Sequence, residues 1–249
     1  MKGGTCLLQA GTTPSWSLCD ISRQPRLTFM SHGNFDSVYR KVGRTTCFMV
    51  FGLGIFYAIV TTLGLLSLKS SLDTIGDPYF TIMEILSILI SLLMAISLVA
   101  VHYYASPVDR FFSLIALIFM FIAAGITSSV HFIILSVSQY LAPEQLQNVL
   151  FFFSFQWPSV VYALDILAWD LFFGLSMLFV APVFKKERFG KNLKVLLIFC
   201  GILSLIGLIG VPLQNMQIRN IGIIGYAVVG PVAFLFIGKI LGSTKQVQV

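Results

Sequence analysis

VVYALDILAWDLFFGLSMLFVAPVF, residues Val160–Phe184, is an apolar run of 25 residues. At ~1.5 Å of rise per residue the run is long enough to cross the ~30 Å hydrocarbon core as one helix. Yet it carries Asp165 and Asp170 in its interior. Insertion scales put an aspartate near the centre of a spanning helix at about 2.5 to 3.5 kcal/mol unfavourable. Keeping two therefore requires partners, protonation or water.

Working outward, five more segments reach spanning length: Cys47 to Leu68, Thr81 to Tyr104, Phe111 to Ser138, Val195 to Leu213 and Ile221 to Leu241. The 249 residues are 57% hydrophobic and 10% charged, too little polar surface for a soluble domain of this size. Continuous apolar runs without period-two alternation exclude a barrel, because backbone groups in lipid must be paired internally. The reading is an all-α polytopic membrane protein with six transmembrane helices. Its parts are a tail over 1–46, a six-helix domain over 47–241 and a tail over 242–249.

Lys and Arg set the orientation, since positive charge is retained on the cytoplasmic side during insertion. Fourteen of the sixteen fall on one face, in the N-terminal stretch, at Arg110, between Lys185 and Lys194, and at Lys239 and Lys245. Only Lys69 and Arg219 fall opposite, in outer loops. Both termini are expected in the cytoplasm, at the cell membrane. The net charge of +6 is then a topology signal, met by anionic lipid headgroups and not by nucleic acid. The run Lys185 to Lys194 is the main topology determinant.

Met1 to Phe29 reads as a disordered tail without the apolar core of a secretion signal, and Met30 is an alternative translation start. Cys6, Cys19, Cys47 and Cys200 form no disulfide framework. The longest loop, Gln139 to Ser159, has Pro143 and Glu144 as helix starters. Leu146, Val149, Leu150, Phe153 and Trp157 follow at roughly helical spacing, which fits a short interfacial helix. Asp73, Asp77 and Pro78 with Gly76 make a turn. Gly125 with Ser129, and Ser204, Gly207 and Gly210, mark close helix contacts. Pro231 predicts a kink that frees a carbonyl around Ala227. No internal repeat is evident.

Counting inward from the outer boundary brings Glu84, His131, Asp165 and Tyr226 to one layer ~7 to 11 Å deep, with Asp170 one to two turns deeper. No comparable layer is expected in the inner half. Glu84, Ser87 and Ser91 share one stripe, Tyr162, Asp165, Trp169 and Ser176 another, and Thr127, Ser128 and His131 cluster. At 100° per residue Asp170 points about 140° from Asp165, so one lines a site while the other pairs with a neighbouring helix. For Asp170 that partner is His131, or else the carboxyl is protonated. Tyr162 and Trp169 beside Asp165 suit an organic cation.

Other chemistries fit less well. A lone intramembrane histidine more often ties helices together than binds a ligand. One histidine is thin for catalytic zinc, and neither HExxH nor HxxxH occurs. His102 reads as a helix end at the headgroups. No mid-span lysine offers a Schiff base, and no regularly spaced arginines form a voltage sensor. No cofactor is implied.

TSSVHF at Thr127–Phe132 and Trp169-Asp170 followed by APVF at Ala181–Phe184 resemble uncharacterised prokaryotic six-helix integral membrane proteins. The resemblance covers roughly the second to fourth helices and implies the six-helix plan without a substrate. Three functions stand in order. First is binding or transport of a small cationic or protonatable solute in an outward-facing pocket of Glu84, His131, Tyr162, Asp165, Trp169, Asp170 and Tyr226. Second is a non-catalytic sensor or assembly component whose polar groups only pack helices. Third is a membrane-embedded metal-dependent hydrolase. The expected partners are the lipid bilayer, a small molecule or ion, and a second copy of the chain, since the small size favours a homo-oligomer.

Overall fold

The computed structural model describes residues 32–70, 74–138, 149, 151–155, 157–185 and 187–243. Residues 1–31 of the expected N-terminal tail, Met30 among them, Asp73, most of the Gln139 to Ser159 loop and the end of the C-terminal tail lie outside them. Within that loop Val149 and residues 151–153 are helical. Among the described residues there is no strand, and six helices are long and apolar enough to cross a membrane.

Helix α1 (His32–Leu66) starts well before the Cys47 boundary read from hydropathy. It is followed by α2 (Tyr79–Tyr104) and by α3 (Arg110–Ile133), which is continued by a π-helical turn over Ile134–Ser138. Helix α4 spans Val160–Val183, α5 Glu187–Ile209 and α6 Met216–Ser243. Of the most apolar stretch of α4, 61% is buried, against 22% for α1, so α4 runs through the middle of the bundle and α1 along its edge.

Lipid tails are as apolar as leucine side chains, so close packing and polar contacts hold such helices together. Side chains that are fully buried include Met94 on α2, Met120 on α3, Phe173 and Met177 on α4, Leu197 on α5 and Phe234 on α6. Glycines allow the closest approaches. A Cβ on Gly201 of α5 would lie 2.7 Å from the Gly174 carbonyl oxygen of α4, and one on Gly207 of α5 would lie 2.7 Å from Gly222 Cα of α6. Antiparallel α2 and α3 are joined near both ends, by Glu84 with His131 and by His102 with Ser113.

Two features of α6 differ from the sequence reading in ways that matter. Asn215 caps α6, its Oδ1 accepting from the Gln217 and Ile218 amides at 3.0 and 3.3 Å. The helix therefore includes a polar first turn with Gln217, Arg219 and Asn220, which an apolar-run criterion assigns to a loop. Pro231 does not simply kink α6. The turn before it, Ile224–Val229, is π-helical, with the Gly230 amide bonded back to the Gly225 carbonyl. The widened turn absorbs the missing proline N–H.

Candidate functional site

Five ionisable side chains from four helices form one continuous line in the half of the bundle that holds the start of α2 and the end of α3. His131 Nδ1 lies 2.7 Å from Glu84 Oε2, and its Nε2 lies 3.4 Å from Asp165 Oδ1. Arg219 Nη2 lies 3.9 Å from Asp165 Oδ2, and Arg219 Nε lies 3.6 Å from Asp170 Oδ2. Acids and bases thus alternate as Glu84, His131, Asp165, Arg219 and Asp170. Each is buried, with exposures of 3%, 4%, 5%, 2% and 0% in that order. The group is enclosed, where the sequence led us to expect an outward-open hollow.

The four residues counted to matching depth, Glu84, His131, Asp165 and Tyr226, are brought together, and so are Asp170, Tyr162 and Trp169. Arg219 is the residue that sequence reasoning missed. It was expected on the outer surface, and it lies instead between the two aspartates. The partner of Asp170 is accordingly Arg219 and not His131, which faces Glu84 and Asp165. A signal was available in the sequence: Asn215 followed by a single arginine before an apolar run is an N-cap pattern, and it moves that arginine from a loop into a helix.

Local geometry explains how both aspartates reach one cation. Five residues apart, they would diverge on an α-helix. Leu167–Phe173 is π-helical, however, and i→i+5 bonding widens the turn so that residues five apart come toward one face. All three π-helical stretches among the described residues border the site. One follows His131, one carries Trp169 and Asp170, and one carries Tyr226. On the α6 side the approach depends on Gly222, where an added Cβ would fall on Asp170 Oδ1.

Aromatic rings enclose the cation. Arg219 Cζ sits 5.0 Å from the Tyr162 ring centroid and 5.9 Å from that of Tyr226. Trp169 packs on Tyr226 at 5.3 Å, and Phe155 lies between His131 and Tyr162 at 5.5 and 5.4 Å. Tyr162 is placed by Ser159, whose Oγ caps α4 by accepting from the Tyr162 amide at 3.2 Å. Ser87 and Ser91, on the Glu84 stripe, donate to backbone carbonyls of their own helix. Ser176, in the same predicted stripe as Asp165, instead donates to the Ala116 carbonyl of α3 at 2.7 Å.

Three carboxylates face one guanidinium and one imidazole, so even with His131 protonated the fully ionised group is one positive charge short. Its hydrogen bonding is also incomplete. Among buried atoms without a hydrogen-bonding protein partner are both Asp170 oxygens, Asp165 Oδ1, His131 Nε2, Arg219 Nε, Thr127 Oγ1 and Ser128 Oγ. Buried polar atoms are normally satisfied, and a cluster of exceptions marks a place where water, an ion or a ligand belongs. Glu84, His131 and Asp165 form a carboxylate–imidazole–carboxylate array through which one proton can pass between the two acids. Both ring nitrogens of His131 are turned to carboxylates, which leaves neither aimed at a shared metal position. Among the described residues no three His, Cys, Asp or Glu are arranged to hold a metal ion.

The other end of the bundle, where no comparable layer was expected, holds the buried carboxylate of Asp109. Asp109, 7% exposed, accepts from Ser106 Oγ at 2.8 Å and pairs with Lys185 Nζ at 2.5 Å. Nearby His102 Nδ1 lies 2.9 Å from Ser113 Oγ. Since Ser113 donates its own proton to the Arg110 carbonyl at 2.9 Å, His102 Nδ1 must be the donor. His102 is therefore a helix-joining group and not merely a headgroup-level residue.

No family model, curated protein or solved structure matches the chain.

Proposed function

We propose that this protein sits in the cell membrane with both termini in the cytoplasm and binds and transports a small cationic or protonatable solute at the buried line from Glu84 to Asp170. The observation that carries the reading is Asp170. Its carboxyl group is fully buried, its oxygens have no hydrogen-bonding protein partner, and its one ionic contact, to Arg219, is long at 3.6 Å. A charge-assisted bond in a settled ion pair is about 2.7 to 2.9 Å. Structural pairs buried in a membrane close to that distance because leaving them open costs several kcal/mol. A cation or proton arriving at Asp165 and Asp170 supplies the missing charge, and His131 passes a proton between Glu84 and Asp165 in a coupled cycle.

The orientation rests on the distribution of Lys and Arg. Removing Arg219 from the surface count leaves Lys69 as the only basic residue expected outside. Trp169 and Tyr226 supply aromatic surface beside the carboxylates, which suits an organic ammonium.

Trp169 reports the test directly. Purified protein in nanodiscs is titrated with ethylammonium and guanidinium while tryptophan emission is followed. A saturable change in the parent protein that disappears in Asp170→Asn, with a cooperative thermal transition retained, is the expected result. A response unaltered by Asp170→Asn, or no response at any pH between 5 and 9, overturns it.

One observation favours a second reading, a sensor or assembly component. The same contacts lock α2, α3, α4 and α6 together and are enclosed on all sides. On that reading Asp170→Asn unfolds the protein and no solute alters its fluorescence.

A further inference from the structure

Arg219 stands where a solute of the proposed class would have to sit. Its guanidinium lies between Asp165 and Asp170, at 3.9 and 3.6 Å, with the Tyr162 and Tyr226 ring centroids 5.0 and 5.9 Å from Cζ. Two carboxylates and two aromatic faces are what recognise a free organic cation, above all a planar, delocalised one. At 2% exposure the side chain fills that place itself. It is loosely held there. Locked guanidinium–carboxylate pairs close to about 2.7 to 2.9 Å, commonly through two parallel bonds. Both distances here are longer, and the buried Arg219 Nε has no hydrogen-bond partner, so the desolvation of the charge is incompletely offset.

The main chain that carries the arginine is, by contrast, fixed. The Arg219 amide donates to the Asn215 carbonyl at 3.2 Å. A Cβ on Gly210 of α5 would lie 2.5 Å from the Arg219 nitrogen, and one on Gly207 would lie 2.9 Å from the Arg219 carbonyl oxygen. The surface is nevertheless near. Asn215, Gln217 and Asn220 of the same segment are exposed, and Asn215 is about 6 Å away along the helix at ~1.5 Å per residue. An arginine stem spans that distance. From one backbone position the guanidinium can reach either the carboxylates or the surface, as long basic side chains near the ends of spanning helices do.

We propose that Arg219 is a tethered stand-in for the solute, that the solute is a small guanidinium compound, and that it binds by exchange with the Arg219 side chain; this rests on the transport reading of the buried line. Departure of the arginine alone would strand two buried carboxylates. The shortfall of one positive charge removes that obstacle. With the three carboxylates ionised and His131 protonated, a second cation beside Arg219 brings the group to neutrality, so solute arrives before the arginine leaves. Once it has left, the group is again one charge short, and a proton handed on by His131 completes it. Propylguanidinium reproduces the arginine side chain from Cβ outward and is the probe that fits this place.

Full-length protein in nanodiscs is titrated with propylguanidinium and, separately, propylammonium while tryptophan emission follows binding. In parallel, exchange of the Arg219 Nε proton with water is read by NMR on protein carrying isotope-labelled arginine. Propylguanidinium should saturate the parent protein more tightly than propylammonium, and at saturation the Nε proton should exchange about tenfold faster or more, because the side chain has moved to the surface. Arg219→Lys keeps the charge but loses the planar fork, so as a weaker stand-in it should let propylguanidinium bind about tenfold more tightly. A ligand that packs over a permanent arginine would instead slow the Nε proton. Saturable binding with Nε exchange unchanged or slowed overturns the exchange and leaves the transport reading standing. Propylammonium binding as tightly as propylguanidinium overturns the solute class. No saturable binding of either cation to the parent protein overturns both the exchange and the transport reading.

Discussion

Replacing Arg219 by methionine removes the only fixed positive charge in the buried line and keeps most of the side-chain volume. Arg219 lies 3.6 Å from an Asp170 oxygen and 3.9 Å from an Asp165 oxygen. At an effective dielectric of ~20 each contact is worth about 4 to 5 kcal/mol of Coulomb attraction before desolvation is subtracted. Breaking a buried pair by removing one partner typically costs about 3 to 5 kcal/mol, because the other charge is left uncompensated. Arg219→Met should therefore destabilise the protein by about that amount. Asp170→Asn should cost less, since Arg219 retains Asp165 as a counter-charge. In the double variant no stranded carboxylate remains at position 170, and much of the loss should return. The assay is a double-mutant cycle on unfolding free energies from SDS titration in mixed micelles. A coupling of about 1 to 3 kcal/mol is expected for residues in one charged network. Additivity within about 0.5 kcal/mol would show that Arg219 and Asp170 do not sense one another and would refute the assignment of Arg219 to the site.

Gly222→Ala places a methyl on Asp170 Oδ1 and should cost about 1 to 3 kcal/mol in the same titration, as overpacking does; a neutral result would mean that α6 stands further from α4 than described. Asn215→Ala removes the cap that begins the turn carrying Arg219 and should lower stability by about 0.5 to 2 kcal/mol, with faster hydrogen exchange at the Gln217 and Ile218 amides. Slower or equal exchange there would argue against the cap. His131→Leu strands Glu84 and Asp165 without the imidazole between them and should cost about 3 to 5 kcal/mol, whereas Glu84→Gln, which retains an acceptor for Nδ1, should cost clearly less. Equal losses from the two would indicate that His131 is held by packing and not by the acids.

The helical membrane plan is legible in length and composition alone. Spanning length and apolar composition follow from the thickness of hydrocarbon and the need to pair every backbone group, and both can be counted along one chain. The constant rise of a helix likewise put Glu84, His131 and Asp165 at one depth before any contact was known. Which side chains meet at that depth is set by how the helices pack. Helical phase along α4 separated Asp165 from Asp170, but the π turn over Leu167–Phe173 reunites them, and such a turn leaves no mark in an apolar pattern. Arg219 read as a surface charge because hydropathy ends a span at its first charged residue. A capped helix continues past that point, and two carboxylates of α4 with the rings of Tyr162 and Tyr226 make its burial affordable. What a charge does inside a bilayer depends on its neighbours from other segments, and those are chosen by packing and not by local sequence.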